Sequence, residues 1–231
     1  MILGGLQKLT LIDFPEKIAV TVFTVGCNFS CPFCHNPGLV DAQKILTEPK
    51  IEEKDFFDFL KNRQGMLEGV CVSGGEPTLQ RGLPEFLAGI KDLGFLIKLD
   101  TNGTNPAMIE NLLKKGLVDY IAMDIKAPLE KYKKVVGPQV SLADIQRSVE
   151  LTRSLPEYEF RTTVLPALHS KKDILSIGRW LQGAKRYFLQ QFRPQTTLDE
   201  KFASERPFDD KTLAEIRQAL AVFFDECGIR E

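Results

Sequence analysis

The sequence predicts an α/β fold, an open partial (β/α)6 barrel with a parallel sheet and an added C-terminal helix. Two observations carry this expectation. Short β-branched or apolar runs alternate with amphipathic segments six times along the chain, and polar motifs cluster at the carboxyl ends of those runs, where parallel α/β sheets place their active sites. Right-handed crossovers curl such a sheet toward a barrel, but six strands fall two short of the eight in a closed one. A flat doubly wound sheet fits the same alternation and stays open as the alternative.

The first predicted strand, Ile18 to Val25, reads IAVTVFTV, mostly β-branched and bounded by Gly26. Phe56, Phe57, Phe59 and Leu60 then stand at helical spacing within a charged segment. Gly69 to Ser73 forms the second strand, followed by a helix through Phe86, Ile90 and Leu93. Phe95 to Leu99 is the third strand, ahead of a helix through Ile109, Leu112 and Leu113, and Val118 to Ile125 is the fourth. Ser141 is placed to cap the next helix, with Asp144 favourably set in its first turn. Tyr158 to Leu165 is the fifth strand, Ile174 to Leu181 a helix, and Tyr187 to Phe192 the sixth strand. In the tail, Leu213, Ile216, Leu220, Phe223 and Phe224 share one helical face, and that helix is expected to stop near Gly228. No internal repeat, low-complexity tract or linker breaks the pattern, so residues 1–231 read as a single domain.

With 231 residues, 43% hydrophobic and 26% charged, the chain has the composition of a soluble globular protein with one well-buried core. A formal net charge of -1 provides no global basic field, which speaks against nucleic acid or a membrane as partner. Lys131, Lys133, Lys134 and Lys171, Lys172 read as solvated faces. The opening MILGGLQKLTLIDFPEK lacks the parts of a signal peptide, and no apolar run approaches the roughly 18 residues of a membrane helix. Five cysteines, three of them within eight residues, suit thiolates kept for metal in a reducing cytoplasm better than a disulfide framework.

Cys27-Asn-Phe-Ser-Cys31-Pro-Phe-Cys34-His35-Asn36-Pro37 directly follows the first predicted strand. Three thiolates this close can face one metal centre, and a loop supplies the curvature. A cubane cluster usually takes four thiolates. Cys71, in a predicted buried strand, and Cys227, near the end of the predicted tail helix, are poorly placed for that; they read as a small hydrophobe and an incidental surface thiol. Three protein ligands would leave one iron open to an external ligand, as in a catalytic zinc site. The competing reading is a zinc site with His35 as fourth ligand. Neighbouring side chains such as Cys34 and His35 seldom converge on one small ion, and structural zinc ligands usually come in two separated pairs.

The Cx3Cx2C spacing, with aromatic Phe33 before the last cysteine, resembles the hallmark of the radical S-adenosylmethionine (SAM) superfamily. The resemblance implies a [4Fe-4S] cluster on Cys27, Cys31 and Cys34, its open iron chelated by the amino and carboxylate groups of S-adenosylmethionine. One-electron reduction would then release methionine and a 5′-deoxyadenosyl radical that abstracts a hydrogen atom. It also places Phe33 beside the adenine, largely through its backbone.

Ser73-Gly74-Gly75-Glu76-Pro77 follows the second predicted strand. A double glycine alone is a turn, although glycine lets a backbone approach a ligand closely and a glutamate can accept from an ammonium group. The segment resembles the superfamily's GGEP motif, which implies that Ser73, Gly74, Gly75 and Glu76 meet the methionyl amino group. Asp100-Thr101-Asn102-Gly103 and Asp124-Ile125-Lys126 end the third and fourth strands and could be caps or turn formers. They resemble the DTNG and LDxK segments of the pyruvate formate-lyase activating enzymes. By that likeness Asp100, Thr101 and Asp124 hold Na+ or K+ beside the cofactor carboxylate, with Asn102 in the same cofactor-binding segment. Lys126 pairs with that carboxylate, and Arg161 lies near the cofactor, a surface ion pair being its plainer reading. At the sixth strand those enzymes carry a histidine, whereas this chain reads Leu189-Gln190-Gln191-Phe192-Arg193, so Gln190 or Gln191 is the expected polar substitute. His169 is assigned no role.

Nearly the whole chain shares this likeness. Gly4-Gly5-Leu6-Gln7-Lys8 through Leu11-Ile12-Asp13-Phe14-Pro15, then CNFSCPFCHNP, is similar to the anaerobic ribonucleoside-triphosphate reductase activating proteins, a group of the glycyl-radical enzyme activases. The implied partners are a glycyl-radical enzyme, the large subunit of anaerobic ribonucleotide reductase first, and a flavodoxin- or ferredoxin-type reductant. Asp13-Phe14-Pro15-Glu16 occupies the place of a DGPG segment near the substrate glycine in related activases; both glycines are replaced. Asp13 is the candidate substrate contact, a turn before the first strand being its plainer role. A small-molecule radical enzyme such as a 7-carboxy-7-deazaguanine synthase is an alternative, but that family has an enlarged cysteine spacing absent here. A zinc-stabilised binding module is the non-enzymatic one.

Overall fold

A computed structural model describes residues 1–230. Eight strands form one sheet in the order β1-β2-β3-β4-β5-β6-β7-β8. They are β1 (Leu3–Thr10), β2 (Ala19–Thr24), β3 (Gly69–Gly74), β4 (Leu96–Thr101), β5 (Tyr120–Asp124), β6 (Tyr158–Val164), β7 (Ala184–Gln191) and β8 (Phe224–Arg230). Every pair from β2 to β8 is parallel, and only β1 runs antiparallel, against β2. A doubly wound sheet reverses its strand order part-way; this one is sequential throughout, as in an open barrel. The flat alternative is thereby excluded.

Between the strands lie α1 (Pro37–Val40), α2 (Ala42–Thr47), α3 (Glu53–Lys61), α4 (Leu83–Asp92), α5 (Pro106–Lys114), α6 (Tyr132–Val136), α7 (Leu142–Ser154), α8 (Lys171–Trp180) and α9 (Asp210–Leu220). Ser141 caps α7 by accepting from the Asp144 amide. Ser170 and Asp173 form a reciprocal capping box on α8. Among the described residues no helix is long and apolar enough to cross a membrane.

Two elements depart from the expectation. Residues 3–10 form β1, a strand not anticipated. The tail helix does not run to Gly228: α9 ends at Leu220, a single 3₁₀ turn follows, and the chain returns as β8 parallel to β7. Phe223 and Phe224 are therefore not on the α9 face, and Cys227 lies in a strand rather than near a helix end.

The alternation of each strand divides the interior into two unlike faces. Val20, Val22, Val70, Val72, Ile97, Leu99, Ile121 and Met123 are buried in the large apolar core that includes the helices' apolar residues. The opposite residues line the concave side. At its base Phe14, Ala19, Tyr120 and Ala122 form a small separate cluster, with the Phe14 and Tyr120 rings 6.0 Å apart. Above that plug the concave face turns polar.

Candidate active site

At the carboxyl ends of the strands opens a cavity of about 400 Å³, within the range of small-molecule sites. It is lined by Cys27, Cys31 and Cys34 from the loop after β2, by Ser73 to Glu76 after β3, and by Asp100 to Asn102 at the end of β4. Asp124 at the end of β5 and Lys126 after it, Arg161 and Thr163 on β6, Gln190 and Gln191 on β7, Arg230 on β8, and Asp13, Phe29, Phe33, His35, Asn36, Val40 and Arg193 complete it. Every residue assigned to the site from sequence thus borders one cavity.

The cysteine loop is held from both sides. The Gly26 amide donates to the Leu39 carbonyl at 2.7 Å, and Ser30 N–H to the Val136 carbonyl at 3.3 Å. Phe29 and Phe33 are buried beneath the loop. Asn102 Nδ2 approaches Cys27 Sγ at 3.8 Å and donates to Asn28 Oδ1 at 3.0 Å. Burial pushes the Cys27 thiol up to about 11 and the Cys31 thiol up to about 12, with Lys126 the main opposing charge at Cys31. As thiolates these groups call for a positive centre within the cavity. His35 stacks on Phe192, ring centroids 5.6 Å apart, which does not favour it as the fourth ligand of a zinc site.

At its two glycines the Ser73–Pro77 turn is packed against the end of β2 and the start of the cysteine loop without room for a Cβ. Gly74 has φ +115°, and a Cβ on Gly75 would stand 2.1 Å from the Gly26 carbonyl oxygen. Glu76 is fully buried. Its Oε1 takes the Thr78 amide and hydroxyl and the Thr101 hydroxyl, the last at 2.7 Å, and Oε2 takes the Asn102 amide at 2.6 Å. Burial raises the Glu76 carboxyl, against the pull of these donors. The expected ammonium acceptor is therefore first a tie between the β3 and β4 ends, with free acceptor capacity on Oε2. Thr101, expected to contact cofactor and cation, has its hydroxyl committed to Glu76 while accepting from the Gly103 amide at 3.1 Å.

The acidic pair is arranged differently from expectation. Arg161 lies between the carboxylates, with Nε donating to Asp124 Oδ1 at 2.8 Å and Nη2 standing 3.3 Å from Asp100 Oδ2. Lys126 adds a 3.0 Å bond to Asp124, Lys98 pairs with Asp100, and the Ser73 hydroxyl donates to Asp100 at 3.0 Å. Burial raises the Asp124 carboxyl, but Arg161 and then Lys126 outweigh it and hold it down at about 2. The Na+ or K+ expected at Asp100, Thr101 and Asp124 finds no support here: a guanidinium and two ammonium groups already stand beside the two carboxylates, and the Thr101 hydroxyl is bonded to Glu76. Arg161, 9% exposed, is no surface ion pair.

Asp13 is pinned by the Thr21 hydroxyl at 2.6 Å, and its own amide donates to Thr10 Oγ1 at 3.2 Å, so it shapes the turn before β2 and also borders the cavity. Gln191 Nε2 donates to the Phe208 carbonyl at 2.6 Å, while its Oε1 is buried without a donor among the described residues. Cys71 is fully buried as a small hydrophobe. His169, 1% exposed, bridges the Lys126 carbonyl at 2.9 Å and the Leu165 amide at 3.4 Å, fastening the Lys126 segment to the turn after β6.

Lys98 and Glu159, which pair with Asp100 and Arg230 behind the lining, were not anticipated, nor were Thr163, Arg193 and Arg230 on the cavity wall. The signal was present in charged residues alternating with apolar ones, as in LIKLD and YEFRT, which places charge on the concave face of a strand buried on both sides. The donor chemistry fits a [4Fe-4S] cluster with S-adenosylmethionine: three thiols, two cations for a carboxylate, and the orphan Gln191 oxygen for an amino or hydroxyl donor.

The family model of the radical SAM superfamily matches residues 21–174. A protein of Methanocaldococcus jannaschii, provisionally named a glycyl-radical enzyme activating enzyme, is 32% identical over 99% of this chain and 95% of its own length. The pyruvate formate-lyase-activating enzyme of Clostridium pasteurianum is 28% identical over 86% of this chain and 84% of its own. In fold, the chain superposes on SuiB of Streptococcus suis with precursor peptide SuiA bound, at TM-score 0.67 and 13% identity. That likeness covers 90% of this chain and 49% of the longer SuiB chain.

Proposed function

The chain belongs to the radical SAM superfamily, and from that premise we propose that it is an activase that generates a glycyl radical on a partner enzyme, with anaerobic ribonucleoside-triphosphate reductase as the first candidate. Membership implies a [4Fe-4S] cluster and S-adenosylmethionine. When bound, the pair supplies one-electron reductive cleavage and a deoxyadenosyl radical that removes a hydrogen atom. The observation that carries the activase reading is the likeness to activating enzymes over nearly the full length of both chains.

In this reading residues 1–231 act as one catalytic domain. Cys27, Cys31 and Cys34 would hold the cluster, and Phe33 would lie beside the adenine, largely through its backbone. Lys126 and Arg161 would bind the cofactor carboxylate, and the Gly74–Gly75 backbone with Glu76 Oε2 would bind its amino group. Asn102 steadies the Cys27 sulfur, and Gln191 offers its unpartnered oxygen. The chain's task is to orient the cofactor and keep water and oxygen out, since the chemistry is the cofactor's. Asp13 meets the entering glycine loop, because hydrogen abstraction requires that Cα within roughly 3–4 Å of the deoxyadenosyl carbon. A flavodoxin- or ferredoxin-type protein is the reductant.

The test is anaerobic incubation with reductant, S-adenosylmethionine and an anaerobic ribonucleotide reductase, read by electron paramagnetic resonance. A glycyl doublet is expected. Cofactor cleavage with no protein radical on this or any other glycyl-radical enzyme would favour a small-molecule substrate instead.

A further inference from the structure

The strand that the sequence pattern concealed, β8, carries a charged side chain into the cavity. Gln190 on β7 pairs with Arg230 and Phe188 with Gly228. Gly228 has no side chain, and a Cβ there would stand 2.8 Å from the Phe188 ring, so the ring lies over the glycine. The Arg230 guanidinium sits 3.7 Å above the Phe188 centroid, a cation–π seat. From it Arg230 reaches across β7 to Glu159 on β6, with bonds of 2.5 Å to Oε1 and 2.7 Å to Oε2. The Tyr120 hydroxyl donates to the same carboxylate at 2.7 Å.

Glu159 is fully buried. Its Oε1 also lies 3.9 Å from Arg161 Nη1, so two guanidinium groups stand within reach of one carboxylate. Arg230 makes the close, two-pronged contact. Arg161 is left to turn toward Asp100 and Asp124, where it borders the cavity.

We propose that Arg230 is a positioning residue: by satisfying Glu159 it holds Arg161 in the orientation that bridges Asp100 and Asp124. Without Arg230, a buried carboxylate would lack its bidentate partner, and Arg161 is the guanidinium beside it. Arg161 would rotate toward Glu159 and away from the site. The proposal rests on the cofactor reading of the cavity and is independent of which substrate is used.

The experiment compares Arg230→Ala, Glu159→Gln, the double variant and Arg230→Lys in cluster-loaded protein. Two readouts are taken: equilibrium binding of S-adenosylmethionine, and the Arg161 Nε–H resonance in 15N-labelled samples without it. Arg230→Ala should weaken binding about tenfold and shift the resonance, a coupling of the size seen between residues of one network. Arg230→Lys, retaining charge but not the fork, should fall between Ala and wild type. In the double variant Glu159 no longer attracts Arg161, so binding should return to within about threefold of wild type and the resonance to its original position. If Arg230 merely docks β8, the second substitution restores neither readout, and the proposal is overturned. It is equally overturned if Arg230→Ala binds like wild type with an unmoved resonance. Should Arg230→Ala not fold, the Arg230→Lys and Arg230→Lys/Glu159→Gln pair decides by the same criterion. Failure of the wild-type protein to bind S-adenosylmethionine would instead strike the cofactor reading, and the resonance would still report on Arg230.

Discussion

Replacing Arg161 by Gln removes one positive charge from between two carboxylates while keeping much of the side chain's volume. Arg161 stands 2.8 Å from Asp124 and 3.3 Å from Asp100, and its side chain is 10% exposed. At an effective dielectric near 20, Coulomb's law gives about 5–6 kcal/mol of attraction for each contact. Desolvation of the guanidinium offsets much of that, and removing one partner from a buried network destabilises by roughly 3–5 kcal/mol. Lys98 and Lys126 remain on the two acids, which points to the lower end, about 3 kcal/mol. For a chain of this length that corresponds to a fall in Tm of about 10 °C. Differential scanning calorimetry of the cluster-loaded protein, in matched sodium and potassium buffers, measures it. Wild-type Tm should not depend on the alkali ion, because the guanidinium occupies the place between the carboxylates. A variant melting within about 2 °C of wild type, or a wild type that strongly prefers one alkali ion, would refute the reasoning.

Three further outcomes are expected. Cys27→Ala, Cys31→Ala and Cys34→Ala should each abolish cluster iron and cofactor cleavage together, whereas Cys71→Ser and Cys227→Ser should keep both; iron and sulfide analysis decides, and an essential outer cysteine would contradict three-point ligation. Gly75→Ala forces a Cβ to 2.1 Å from the Gly26 oxygen, so the turn and the cysteine loop must part, at a cost of about 1–3 kcal/mol or more and with loss of iron retention at unchanged secondary structure by circular dichroism. The depressed Asp124 carboxyl contributes stability that is complete above the ordinary carboxylate range near pH 4 and is lost as pH falls toward about 2; with 23% of that side chain exposed, solvent screening holds the contribution to about 2 kcal/mol. Asp124→Asn should flatten that acid limb of the stability profile in urea titrations.

Strands β2 to β7 were legible because β-branched runs flanked by turn residues leave little choice of structure, and because the motifs that end them have recognisable chemistry. β1 was not: LGGLQKLT carries two glycines and too little alternation to announce an edge strand. β8 was hidden by a false continuation, since Phe223 and Phe224 extend the period of α9 although the helix stops at Leu220. Gly228, read as a helix stop, instead makes room for Phe188. In the site, the spacing of the cysteines points to a metal centre, and it is the resemblance to the radical SAM motifs that gives the cysteines and the glycine turn their roles. The partners of Asp100 and Asp124 do not, because which cation lies between two acids depends on register across three strands. A basic residue on a strand reads as exposed until the barrel shows that its concave side is enclosed, as it is for the fully buried Lys98.

The claim that the product is a protein radical is tested most directly by following the abstracted hydrogen. A partner glycyl-radical enzyme labelled with α-deuterated glycine is incubated anaerobically with this protein, a reductant and S-adenosylmethionine, and the 5′-deoxyadenosine formed is weighed by mass spectrometry. The account predicts one deuterium in the 5′-deoxyadenosine, in step with appearance of the glycyl signal. Unlabelled 5′-deoxyadenosine, released at the same rate whether or not the partner is present, would contradict it.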